Sequence, residues 1–86
     1  MRFVVTRRFE EAYRSLPKAL RRKTDKALKL LAGNPGHPSL RLRKIQGTPG
    51  IWEARVDKGC RMTLEIRSNC FLLRNIGKHD ETLDNP

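Results

Sequence analysis

Arg55 and Arg61 sit in the stretch IWEARVDKGCRMTLEI, residues 51–66, where two alternating runs flank an Asp-Lys-Gly turn. One set of alternate positions is apolar: Trp52, Ala54, Val56, then Met62, Leu64, Ile66. The other holds Glu53, Arg55, Asp57, then Arg61, Thr63, Glu65. Alternation of this kind marks strands with one buried face. The apolar set is therefore expected against a core, and Glu53, Arg55, Arg61, Thr63 and Glu65 are expected to face outward. Further basic residues converge on that polar face. Arg41, Arg43 and Lys44 precede it, and Lys78 and His79 follow the next apolar run on what reads as a loop. Arginine forks hold phosphate oxygens two at a time and stabilise developing charge. Histidine or glutamate moves protons near neutral pH. The set suits phosphodiester chemistry, and the arginines alone suit binding of RNA or DNA phosphates. A solvated sheet face carrying Arg–Glu pairs would use the same residue types. What distinguishes this one is the basic residues arriving from outside the hairpin. His79, beside Asp80 in IGKHDE, is the more informative histidine; His37, between Gly36 and Pro38, is assigned no role.

The totals narrow the partners. Lys and Arg number 19 against 9 acids, for a net charge of +10. Residues 1–44 hold 13 basic and 3 acidic residues, and residues 45–86 hold 6 of each, so the first half carries the excess. Such a balance points to a polyanion: nucleic acid, an anionic membrane or an acidic protein. The apolar run of MRFVVT is too short for a secretory signal, and no segment reaches the length of a membrane span. A cytoplasmic protein with no membrane partner is expected. Cys60 and Cys70 lack the paired spacing of a zinc site. With Ser68-Asn69 at the tip of a tight hairpin, Cys60 is expected opposite Gly77 and not Cys70, which argues against a disulfide. No metal and no small-molecule cofactor is called for.

The 86 residues allow one domain, 1–86, with a thin core. RFVVT (2–6) reads as a strand, and Thr6 as the N-cap of a helix carrying Phe9, Ala12, Tyr13 and Leu16 on one stripe. Pro17 breaks this helix or opens the next. KALRRKTDKALKLLAG then places Leu20, Thr24, Ala27, Leu28 and Leu31 on a stripe, with Arg21, Arg22, Lys26 and Lys29 off it, over ~15 residues and ~22 Å. Gly33-Asn34-Pro35-Gly36 ends it. Residues 37–50 hold a short strand or extended segment near residue 40 and a loop. The two runs of the opening stretch and CFLLRNIG (70–77) form an antiparallel meander, and KHDETLDNP is a short polar end. The expected fold is α+β: an N-terminal strand and a helical hairpin packed on a small antiparallel sheet, in the order β-α-α-β-β-β.

That order, the Leu-Pro between the helices, NPGHPSLRLRKIQG, IWEARV, CRMTLEI and IGKHDE together resemble the RelE/ParE superfamily of bacterial toxins over nearly the whole chain. The resemblance implies a RelE-like fold and a cognate antitoxin as partner. In ribosome-associated members it implies metal-independent cleavage of mRNA, with the ribose 2′-hydroxyl driven onto the adjacent phosphate; ParE members instead poison DNA gyrase. It implies that Arg61 grips the scissile phosphate and that Arg55 is the second of two alternating basic positions on the preceding strand. Glu53 stands at the first of those positions, a departure. His79 matches a catalytic position that is histidine in the YafQ-like branch and arginine in RelE. The family's tail aromatic has no match; Leu83 falls about where one branch places it. By this resemblance Glu53 or His79 carries protons, Arg55 and Arg61 stabilise charge, and the basic face of the helical hairpin reaches ribosomal RNA; Arg41, Arg43, Lys44 and Lys78, converging on the polar face, are the expected RNA-binding residues.

Three functions follow. The favoured one is a ribosome-dependent mRNA endonuclease that inhibits translation. A ParE-like gyrase inhibitor explains the missing tail aromatic. A non-catalytic basic nucleic-acid-binding protein needs only the charge.

Overall fold

The computed structural model describes residues 2–86. The chain runs β1 (Arg2–Val5), α1 (Arg7–Arg14), α2 (Lys18–Gly33), a 3-10 turn (Pro38–Leu40), β2 (Arg43–Lys44), β3 (Ile51–Asp57), β4 (Cys60–Ile66), β5 (Cys70–Lys78) and α3 (His79–Asp84). The five strands form one sheet in the order β1-β5-β4-β3-β2. β3 to β5 form the predicted antiparallel meander and β2 adds to it antiparallel, but β1 joins β5 in parallel, so the sheet is mixed and not the antiparallel one expected. The helical hairpin carries the chain across the sheet between β1 and β2, which lets the first strand lie beside the last.

Local signals set the helices. Thr6 accepts a hydrogen bond from the Phe9 amide at 3.1 Å and so caps α1. The same hydroxyl donates to the Leu73 carbonyl at 2.8 Å, which ties the helix start to β5. Pro17 sits at the start of α2, and the Arg21 guanidinium donates to the Leu16 carbonyl at 2.6 Å across the elbow. The buried stripe of α2 is Thr24, Ala27 and Leu31, flanked by the partly buried Leu20 and Leu28. With Phe9, Leu40, Ala54, Met62, Leu64, Phe71, Leu73 and Ile76 they form one core between helices and sheet.

Four expectations are corrected. Lys78 and His79 do not lie on a loop: Lys78 ends β5, and within the short polar end His79–Asp84 form α3, packed on β4 and β5. Residues 43–44 are a strand of the sheet, paired with Trp52 and Glu53, and the residues around 40 are a 3-10 turn. Ile66 lies 39% exposed at the hairpin end, beyond the reach of the helices. Cys60 faces Lys78 and not Gly77, because Arg74 is an extra residue inserted into β5 between the Thr63–Asn75 and Leu64–Leu73 pairs. Both cysteines are free and buried. Burial, with the nearby Asp57 charge, pushes the Cys60 thiol up to about 11. It is therefore protonated and unreactive at neutral pH.

Candidate nucleic-acid interface

The polar side of β3 and β4 carries the predicted residues, and its centre is not open. Glu53 is 4% exposed and Thr63 is fully buried, whereas both were expected to face solvent. The reason is α3, which folds back over this side of the sheet. Gly77 permits the approach, since a Cβ there would lie 3.1 Å from the Thr82 hydroxyl.

Glu53 accepts from the Arg43 Nε at 2.7 Å, its directly opposite neighbour on β2. Leu83 of α3, Arg43, Lys44 and Glu53 line one hollow. Arg55 faces Arg61 directly across β3 and β4, next to an unpaired Val56 that bulges out of the ladder. Arg61 donates through Nη1 to the Asp57 carbonyl at 2.7 Å and the Cys60 carbonyl at 3.2 Å, which pins its guanidinium against the turn. Arg55 lines a second hollow with Lys23, Lys26 and Ser39.

His79 begins α3. Its amide donates to the Gly59 carbonyl at 3.0 Å, which fixes it at the end of β4 that starts with Cys60 and Arg61. Its ring is 3.3 Å from Asp80. It lines a cleft of about 910 Å³ between the α1–α2 elbow and the Asp57–Cys60 turn, with Leu16, Pro17, Asp57 and Lys78 in the wall. Asp57 has its carboxyl held below the usual range: burial alone would raise it, but the Gly59 amide, Lys23 and the Cys60 amide outweigh that. Of the four candidate catalytic residues, Arg55 and Arg61 are thus neighbours. His79 stands at the end of the same strand pair, in the wall of the cleft, and Glu53 is under α3 with Arg43. Arg41, Arg43, Lys44 and Lys78 are exposed around the rim.

Arg41 is the one non-glycine residue among those described with a left-handed backbone, at φ 44°. It ends the 3-10 turn and turns the chain into β2. An arginine kept in this conformation stores strain of order 1–2 kcal/mol.

Three polar residues of the sheet that the alternation pattern gave no role are engaged. Thr63 and Arg74 donate to the Pro86 main-chain oxygen at 2.9 and 3.2 Å, and Asn75 donates to the Asn85 carbonyl at 3.0 Å. Arg74 also reaches Glu65 at 2.5 Å. The signal was present in CFLLRNIG: two successive polar residues in an apolar run break alternation, as a bulge does. Among the described residues no group of three His, Cys, Asp or Glu is placed to hold a metal, and no helix is long and apolar enough to cross a membrane.

No family model matches the sequence, and no curated relative is found. Solved structures do match. YafQ from E. coli strain BL21(DE3) superposes with a TM-score of 0.80 at 15% identity, over 94% of this chain and 97% of that one. A RelB-RelE antitoxin–toxin complex from Methanococcus jannaschii gives 0.76 at 14% identity, over 96% and 99%. The YoeB/ParE toxin from Agrobacterium tumefaciens gives 0.77 at 14%, over 92% and 99%. At these identities the likeness is one of fold, and the architecture is that of RelE, YafQ and YoeB toxins.

Proposed function

We propose that this chain, which has the RelE/ParE toxin fold, is the toxin of a toxin–antitoxin pair and acts as a metal-independent endonuclease on ribosome-bound mRNA. Residues 1–86 act as one toxin domain in the cytoplasm, neutralised by an antitoxin protein. The carrying observation is the arginine pair. Arg55 and Arg61 stand directly opposite each other, and among the described residues neither forms an ion pair with a carboxylate. Like charges in facing positions destabilise a sheet. A phosphate seated between them replaces that repulsion with charge-assisted hydrogen bonds. The Val56 bulge beside them fits this reading, since bulges re-aim side chains next to active sites.

In the proposed reaction the ribose 2′-oxygen attacks the adjacent phosphorus and the bond to the 5′-oxygen breaks. A 2′,3′-cyclic phosphate and a 5′-hydroxyl result. One proton leaves the 2′-oxygen and one reaches the 5′-oxygen. Arg55 and Arg61 hold the non-bridging oxygens. His79, fixed at the same end of β4, is the proton carrier, and Glu53 orients Arg43. Arg41, Arg43, Lys44 and Lys78 hold flanking phosphates.

The test is expression in bacteria with primer extension on mRNA. Arg61→Ala is expected to lower cleavage by about 10²–10³, as for loss of a transition-state donor, and His79→Ala by about 10²–10⁴. The absence of an aromatic residue from 79–86 favours one second reading, a ParE-like gyrase inhibitor. If both variants remain fully toxic and gyrase stalls while mRNA stays intact, that reading replaces the first.

A further inference from the structure

Four side-chain donors converge on two successive main-chain oxygens at the end of the chain. Arg8 and Asn75 donate to the Asn85 oxygen, and Thr63 and Arg74 donate to the Pro86 oxygen. They come from three different elements, α1, β4 and β5. The Arg74 bulge is what brings Arg74 and Asn75, adjacent in sequence, to the same side of the sheet. Two guanidiniums, a hydroxyl and an amide are what successive phosphate oxygens of a polynucleotide need. Apart from those bonds, the occupying segment has few anchors of its own. α3 has six residues and no side-chain cap, and among the described residues its acids Asp80, Glu81 and Asp84 form no ion pair with Lys or Arg. It rests on the sheet through Thr82, which is buried, and through one apolar anchor, Leu83, which is half-buried over Glu53.

We propose that Thr63, Arg74, Asn75 and Arg8 form a second phosphate subsite on the polar face, and that residues 79–86 are a strap whose main-chain oxygens occupy it until single-stranded RNA displaces them. This rests on the reading of that face as an RNA surface. The strap lowers the affinity of the resting protein by the fraction of time the subsite is free. RNA binding and strap release are then one event.

The probe is a short 2′-O-methylated oligoribonucleotide, which binds but cannot be cleaved. Leu83→Ser removes the strap's apolar anchor. It is expected to tighten probe binding on the order of tenfold, as expected when a competing closed state is depopulated. In that background Arg74→Gln and Thr63→Val are each expected to abolish the gain. In the unaltered chain, saturating probe is expected to speed hydrogen exchange at the Asn85 amide, which bonds the Glu81 carbonyl at 3.2 Å. Unchanged affinity in Leu83→Ser overturns the proposal. So does Asn85 exchange that stays constant or slows when the probe binds, a measurement that needs no variant. Because the probe is inert, the outcome is separate from cleavage. A toxic, non-cleaving protein that still binds the probe better as Leu83→Ser would retain the subsite and lose the nuclease reading.

Discussion

Glu65 accepts from Arg67 at 3.0 Å and from Arg74 at 2.5 Å. The Arg67 hydrogen bond, with that of Arg74, outweighs burial and holds the carboxyl below the usual range. A carboxyl depressed on folding stabilises the protein fully above its unfolded value, about 4.3 for glutamate, and loses that contribution as pH falls through the lower folded value. Glu65→Gln should therefore reduce stability at pH 7 and show a flatter acid limb below about pH 4 in denaturant titrations. An acid limb as steep as the unaltered chain's would mean Glu65 is not linked to folding. Arg41 makes a different prediction at the same scale. Glycine adopts its left-handed backbone without strain, though it loses more entropy on folding. Arg41→Gly should leave stability unchanged or raise it by up to about 1 kcal/mol, while RNA affinity falls. A clear loss of stability would show that the side chain's own packing, and not a place on the proposed RNA surface, is why arginine stands there.

Trp52 tests the assignment of faces along β3. It packs on the core but is half-buried, because β2 beside it contributes only two residues. Trp52→Ala should cost about 2–3 kcal/mol by thermal unfolding, below the ~3–5 kcal/mol of a fully enclosed aromatic. Unchanged stability with lost RNA binding would invert the two faces. The sequence was most legible where one period ruled an element. The stripes of α1 and α2, the Thr6 cap and the apolar side of β3 and β4 follow from spacing alone. It was least legible where a single residue or a distant contact decided. One inserted residue, Arg74, moves every later pairing of β5 by a step, and alternation alone cannot place it. α3 is too short to be stable by propensity and exists because Thr82 and Leu83 pack on the sheet. The same contact explains the candidate site. Which side Glu53 and Thr63 occupy was readable from parity, but their burial depended on a segment whose polar composition gave no sign that it would cover them.

At the scale of the whole molecule, charge dominates. A net charge of +10 on 86 residues predicts RNA affinity that falls steeply with salt, because each phosphate contact releases counterions. Binding to a single-stranded RNA between about 50 and 200 mM salt should weaken by orders of magnitude if six or more contacts form. A flat response would remove the polyanion surface and the proposals built on it. The parallel pairing of β1 with β5 reaches beyond equilibrium. Arg2 pairs with Cys70 and Val5 with Leu73, so the first strand made waits for the last. At about 5–20 residues per second, that wait lasts roughly 3–14 s during synthesis. Closing so long a loop also slows spontaneous folding relative to a chain of local contacts. Until β5 emerges, Thr6 has no Leu73 carbonyl to hold, and α1 has no strand beneath it. The polar face is therefore assembled only after β5 has been made. A nascent chain interrupted before residue 70 lacks β5, and with it the neighbour of both β1 and β4, so it cannot present the assembled sheet.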